Sequence, residues 1–413
     1  MKSYATLKTA LLACSIVLSV GSCMAEDSAE QHSAQSKSAD KTSAVRTDIP
    51  PLPIEETGRV EVLPDKFPES WMYVDESSFM SMFGGKMILL DVAETKAAKR
   101  IKGTADKNLL GNFIQPKQRP EFYIMESFHE RGARGPKVDV LTIYDKRTMA
   151  PIKELIWKET RLTALPRRHA MAISPDEKFL FVTNFSPAAS FTVVDLDTKE
   201  IVETVATPGC VLTFATGKRS ITSICSNGGL LTSVVDDKGH KKSQHRIAPF
   251  FDTDDSPIFE RPSIIDGIAH FPSFDGDLHQ VDLNGEVAKY LGKWSLVSDE
   301  ERKANWRPSG VALIDTDDQG LLYLIMQPDG FDGSQTHGGT QVWIYDVKKQ
   351  QRIKVIEIAK GAASVALTRG KKPMMVITNG EMNLDVYDPV TGKLIQNIAG
   401  FGNITPLVIH KAY

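Results

Sequence analysis

Few residues in this chain have a type and spacing that could do chemistry, and most of those do structural chemistry. Seven aspartates close seven similar phrases: Met87-Ile-Leu-Leu-Asp91, Val140-Leu-Thr-Ile-Tyr-Asp145, Phe191-Thr-Val-Val-Asp195, Leu230 to Asp237, Leu278-His-Gln-Val-Asp282, Val342-Trp-Ile-Tyr-Asp346 and Leu384-Asp-Val-Tyr-Asp388. A carboxylate there accepts hydrogen bonds from the turn amides just ahead of it and fixes a reversal. Cys210 and Cys225 are the two cysteines beyond the N-terminal leader. In an oxidising compartment they form a disulfide, and closing a loop of this size contributes about 3 kcal/mol; the alternative is two buried free thiols. Phe128-His-Glu-Arg131-Gly-Ala-Arg134-Gly-Pro-Lys-Val-Asp139 reads as a connection with two arginines, two glycines and a proline. Glycines permit positive φ and arginines make forked bonds to carboxylates or carbonyls, so this is either a solvated loop or a partner contact. His129 is no metal ligand by itself, and the other histidines lack zinc or copper spacing. Without a Gly-x-Ser-x-Gly elbow, a phosphate loop or a dinucleotide fingerprint, no catalytic residue and no metal is assigned.

The elements that position these residues follow from periodicity. Val342, Ile344 and Asp346 alternate with Trp343 and Tyr345, a polar turn follows, and Ile353, Val355 and Ile356 return: a β-hairpin. Apolar runs precede all seven hairpins, at Trp71–Val74, Phe122–Met125, Phe179–Val182, Ile221–Ile224, Ile268–Phe271, Leu321–Met326 and Met374–Ile377. An inner strand plus an outer hairpin, seven times at intervals of roughly 40–65 residues, predicts an all-β, seven-bladed β-propeller; a solenoid or open sandwich is the alternative. Phe79, with Met80, Met82 and Phe83, makes an apolar loop that either packs between blades or faces a ligand or partner. Ser298 can cap a short helix with Glu301 at the capping-box position, ending before Pro308. Met326 to Gly339 is a second long, polar connection. Long connections gathered in one region mark a functional face.

Composition bounds the class. The chain has 413 residues, 41% hydrophobic and 24% charged, with a formal charge of −3; such a surface gives no support for nucleic-acid binding. Residues 1–25 read as a secretory signal, with Lys2 and Lys8 before an apolar run from Ala10 to Val20 that is too short to span a membrane. Cleavage after Ala25 is one reading, and a lipid anchor at Cys23 in Val20-Gly-Ser-Cys23 is the other. Residues 26–49 lack large apolar side chains and read as a disordered linker. The propeller is expected from 50 to 413, in the periplasm.

Several phrases resemble one family. His129-Glu-Arg-Gly-Ala-Arg-Gly135, Ser186-Pro-Ala188, Gly209-Cys210, Ile224-Cys-Ser-Asn-Gly-Gly-Leu-Leu-Thr232, Asp255-Ser-Pro-Ile-Phe259, Trp294-Ser-Leu296, Asn305-Trp306, and Pro328-Asp-Gly330 with Thr336-His337 are similar, in order and spacing, to the large (heavy) subunit of quinone-dependent amine dehydrogenases, methylamine dehydrogenase and, more closely, aromatic (aralkyl) amine dehydrogenase. The resemblance implies a propeller with no cofactor of its own. A small subunit carries tryptophan tryptophylquinone, two large subunits join two small ones, and electrons pass to a cupredoxin such as azurin or amicyanin. It makes Phe79 the channel-mouth phenylalanine, puts the family disulfide on Cys210 and Cys225, and puts partner contacts at Arg131, Arg134, Trp306 and His337. The chain departs from the family at Pro308-Ser-Gly310-Val311 and at Asp315 to Asp318, where the family has Pro-Gly-Gly-aromatic and a His-Arg pair. A non-catalytic periplasmic scaffold or binding propeller is the alternative.

Overall fold

The computed structural model describes residues 62–77, 84–108, 111–132, 134–162, 166–400 and 405–413. The proposed signal, the linker and Phe79 lie outside the described residues. What is described is a seven-bladed β-propeller of antiparallel sheets. Each predicted phrase is the third strand of a blade, and the apolar run before it is the second. Blade 1 uses Trp71–Ser77 and Gly85–Asp91; blade 7 uses Met375–Thr378 and Leu384–Asp388.

Every blade also has a strand on the central axis that the sequence reading did not place. In blade 4 it is Cys210–Thr216, in blade 5 Ser263–Ile265 and in blade 7 Ser364–Leu367. Those of blades 5 and 7 are short, at three and four residues, that of blade 4 has seven, and no aspartate-turn phrase closes them. Blade 1 takes its axial strand from the far end of the chain: Thr405–Lys411 pairs with Trp71–Ser77, closing the ring so that blade 1 has no free inner edge. In blade 3 the axial strand is split into Thr160–Arg161 and Met171–Ile173, and in blade 6 into Arg307–Pro308 and Ile314–Thr316.

The predicted aspartates do cap their turns. Asp145 Oδ1 accepts from the amides of Arg147 and Thr148 at 2.9 and 2.8 Å, and Asp195 from Asp197 and Thr198 at 2.9 and 3.1 Å. Asp91, Asp282, Asp346 and Asp388 repeat this. In blade 4 the role falls to Asp236, which accepts from Lys238 and His240, one residue before the phrase end read from sequence. Between blades the core is aromatic and aliphatic, as where Trp343, Tyr345, Leu324 and Ile377 share one buried cluster.

Strand alternation sorts the connections onto two ends. Turns between third and fourth strands, capped by the aspartates, lie on one face. Connections between second and third strands, and between blades, lie on the other. Among the described residues the long connections all belong to the second group; it is called the connection face below.

Candidate functional site

On the connection face, the arginine-rich stretch of blade 2 is not the loop its composition predicted. Glu121–Arg131 and Arg134–Asp145 stay paired out to Arg131 opposite Arg134, with Phe128 across from Val138. Extended alternation continues through the polar residues because Gly132, at φ 69°, takes the reversal. The result is a projecting hairpin on which Phe128 and Val138 are exposed. Arg131 is exposed and paired with its neighbour Glu130 at 3.4 Å; Arg134 is exposed beside it.

Ser298 and Glu301 form the expected capping box on the helix Asp299–Lys303. Trp306 follows, half-buried, its amide bonded to the Glu301 carbonyl and its ring 5.1 Å from that of Trp343. Arg352 lies 4.0 Å over the Trp343 ring and pairs with Glu301 at 2.7 Å. Trp306 is thus a wedge that seats the helix. His337 ends the turn Ser334–Thr336, exposed, its ring edge-on to exposed Phe331 at 5.6 Å. Beside it lies a hollow of about 640 Å³ lined by Gly338, Gly339, Gly361, Gly380, Met382 and Leu407. Phe185, Phe331 and Met382 are 61%, 60% and 47% exposed on this same face. Arg131 and Arg134 sit on blade 2, whereas Trp306 and His337 belong to blade 6 and its approach.

Cys210 and Cys225 face each other across neighbouring strands of blade 4 and are disulfide-bonded, as expected. The two departures from the family pattern fall apart in space. Ser309 is buried and ties down the long blade 6 connection, donating to the Ser334 carbonyl and accepting from the Gly338 amide. The acidic run lies at the aspartate-turn end. There Asp317 caps the Gln319 and Leu321 amides, Asp315 accepts from the Leu367 amide, and Asp318 accepts from the Gly370 amide. Those carboxylates join blades 6 and 7 and leave the connection face untouched.

Sequence reasoning missed the buried ionic cluster where blades 1, 2 and 3 meet. Lys107 Nζ and Asp75 Oδ1 are 2.9 Å apart with both side chains essentially fully buried. Next to them the Asn108 amide donates to Glu126 at 3.1 Å and its side chain to the Ser127 carbonyl; Ser127 Oγ bonds Asp139. Arg161 Nε donates to Ser127 Oγ at 3.0 Å, and Lys137 pairs with Asp139 at 2.8 Å. Burial pushes the Glu126 carboxyl up to about 7, against the Asn108 amide and the Lys107 and Arg161 charges that pull it down. Burial likewise raises Asp75, which Lys107 opposes. The one available signal was Asp75-Glu76 continuing an apolar strand without a turn residue.

The comparisons agree with this architecture. The family described as "Methylamine dehydrogenase heavy chain (MADH)" matches residues 73–412. The methylamine dehydrogenase heavy chain of Methylophilus methylotrophus is 26% identical over 318 residues, 75% of this chain and 77% of that one. That of Methylorubrum extorquens is 25% identical over 307 residues, 73% and 74% of the two chains. Among solved structures, a periplasmic gluconolactonase from Pseudomonas aeruginosa superposes with a TM-score of 0.56 at 13% identity, covering 83% of this chain and 99% of its own, a likeness of fold alone. With the family match running from Trp71–Ser77 in blade 1 to the closing strand Thr405–Lys411, the chain belongs to the methylamine dehydrogenase heavy chain family.

Proposed function

We propose that the chain is the large subunit of a periplasmic amine dehydrogenase that converts primary amines to aldehyde and ammonia. In this reading the redox chemistry belongs to tryptophan tryptophylquinone in a small subunit, which hands electrons to a cupredoxin. The observation that carries it is the family match along the whole propeller. The tryptophans of this chain are engaged in packing: Trp157 donates to Asn184, Trp294 meets Tyr345, and Trp306 meets Trp343.

The task left to this chain is to hold the small subunit and wall the substrate's path. The connection face is suited to it. Exposed phenylalanines there are the side chains whose burial at an interface contributes about 1.5–3 kcal/mol each, and Arg131 and Arg134 stand ready to make forked bonds to a partner's carboxylates. Phe79 is proposed as the gate at the channel mouth, and Phe79→Ala changes the ratio of specificity constants for small and bulky amines while quinone formation persists.

Co-expression with candidate small subunits, secreted and cysteine-rich chains that carry two tryptophans suited to quinone formation, tests the reading. The expected result is a complex that reduces a cupredoxin with an added amine, and no such activity from this chain alone. A covalent quinone on this chain, or failure of every candidate small subunit to associate, overturns it and leaves the scaffold alternative.

A further inference from the structure

The split axial strand of blade 3 does something the repeat does not require. Between Arg161 and Met171 the chain leaves the blade, and Arg167, Arg168 and His169 lie across the central tunnel. The Arg167 amide donates to Asn112 of blade 2 at 3.2 Å. Arg168 donates to the carbonyls of Ile314 in blade 6 and Ile409 in blade 1 at 3.1 and 2.8 Å. His169, at φ 68°, accepts through its carbonyl from the Thr213 amide of blade 4, and its Nε2 lies 3.2 Å from the Pro262 carbonyl at the start of blade 5. One short segment thus plugs the tunnel and touches five other blades. On its connection-face side, between Arg167, Arg261 and Val311, the remaining void is only about 10 Å³, the limit for one water. On its other side lies a cavity of about 290 Å³, which shares Ile114, Gln115 and Ile264 with an antechamber of about 710 Å³ at the aspartate-turn face.

We propose that the cavity beneath this plug binds a small organic carboxylate, admitted from the aspartate-turn face. Its roof and walls combine Arg168, His169, His410, Lys411 and Gln115 with an apolar side of Phe113, Met171 and Ile264. Two cations line the cavity against one carboxylate: Arg168 pairs with Asp315 at 3.4 Å, while Lys411 donates to the Thr316 carbonyl at 2.6 Å and lies 3.6 Å from Asp318, which is outside the lining. Asp315, the acidic residue lining the cavity, already accepts from the Leu367 amide at 2.8 Å and from Arg168 at 3.4 Å. Two donors have unused capacity. Arg168 uses Nη1 and Nη2 on its neighbours, and its Nε has no partner among the described residues. The His410 ring meets the Phe113 ring at 5.1 Å and makes no hydrogen bond among the described residues. Burial and the Arg168 charge hold His169 down to about 4, and burial with Arg168, Lys107 and His169 holds His410 well below its ordinary value. Both imidazoles are therefore neutral at pH 7. With Nε2–H of His169 donating to the Pro262 carbonyl, its Nδ1 faces away as an acceptor, whereas His410 is free to take the tautomer that donates to an oxyanion. A guanidinium N–H, an imidazole N–H and an aromatic wall suit a carboxylate on a short carbon chain better than a fully hydrated inorganic anion.

Isothermal titration of succinate into the full chain, at fixed ionic strength and pH 7, tests this, with inorganic phosphate and ethylammonium as parallel titrants. One saturable succinate site per chain is expected, weakened at least tenfold in Arg168→Met and in His410→Phe. Arg168 joins blades 3, 6 and 1, so thermal unfolding of its variant is measured first. His410→Phe keeps ring packing on Phe113 and carries the test if the arginine variant does not fold. Absence of saturable succinate binding, unchanged binding in His410→Phe, phosphate binding tighter than succinate, or ethylammonium competing for the site each overturns the proposal. The site lies across the plug from the connection face, and its binding assay needs no small subunit, so its failure and failure of the amine dehydrogenase reading are separate results.

Discussion

The two ends of the propeller come from the same repeat and have diverged in opposite directions. At one end, seven turns are capped by seven carboxylates in nearly the same way. At the other, short turns of one hydrogen-bond pattern in blades 4, 5 and 7 stand beside a long hairpin in blade 2, a capped helix before blade 6, a glycine-rich excursion within blade 6, and a disulfide in blade 4. Uniformity marks what every blade needs in order to fold. Irregularity marks where the chain carries structure that folding alone does not call for. The exposed phenylalanines follow the same division, with Phe128, Phe185 and Phe331 on the connection face, whereas exposed aliphatic side chains such as Ile156, Leu394 and Ile395 lie on outer strands and Val390 in a turn of blade 7.

The contrast can be broken most forcefully under the connection face. Lys107→Met strands the Asp75 carboxylate in a buried site, which costs about 3–5 kcal/mol, whereas a double change of Lys107→Met with Asp75→Leu recovers most of that loss in urea unfolding. A single variant that unfolds like the parent shows that Lys107 does not compensate the buried Asp75 charge.

Glu126 gives the same region a pH signature. Its folded value is raised to about 7, so the stability it contributes is fully present below the unfolded carboxylate value near 4.5 and is lost as pH rises through about 7. Glu126→Gln keeps the oxygen that accepts from Asn108 and removes the charge. It is expected to stabilise the protein by on the order of 3 kcal/mol at pH 8 and by little at pH 4, checked by thermal unfolding at both.

Replacing Cys210 and Cys225 together by alanine lowers unfolding stability by about 3 kcal/mol, from the 15-residue separation that the bond closes. A non-reduced digest that yields both thiols free removes the basis of that figure.

Smaller effects separate the two faces directly. Phe331→Ser is 60% exposed at the parent residue, so it leaves the unfolding midpoint unchanged but weakens small-subunit association roughly tenfold, about 1.4 kcal/mol, measured by surface binding. Asp195→Ala removes two turn hydrogen bonds and costs about 1 kcal/mol of stability, with association unaltered. The reverse pattern, a turn variant that impairs association and a connection-face variant that only destabilises, would exchange the roles given to the two ends.

What the sequence by itself determined was whatever depends on near neighbours along the chain. Alternation, turn carboxylates, the Ser298–Glu301 box and the Cys210–Cys225 pairing each involve residues close in sequence, and each is where the pattern placed it except the blade 4 carboxylate, Asp236 rather than Asp237. The arginine-rich stretch of blade 2 was misjudged because its glycines and prolines looked like a loop, when cross-strand pairs such as Phe128 with Val138 sustain extended strands. Only the tertiary structure could decide the rest. No aspartate-turn phrase announces the axial strands, and Thr405–Lys411 becomes blade 1's inner strand because Trp71–Ser77 offers it an open edge. Lys107 is a surface lysine by composition until Asp75 and Glu126 arrive from neighbouring blades, and Arg168 is an ordinary arginine until the ring closes around it. A charge or an imidazole takes its character from the dielectric and the partners that surround it, and in a propeller those partners come from blades far apart in the chain.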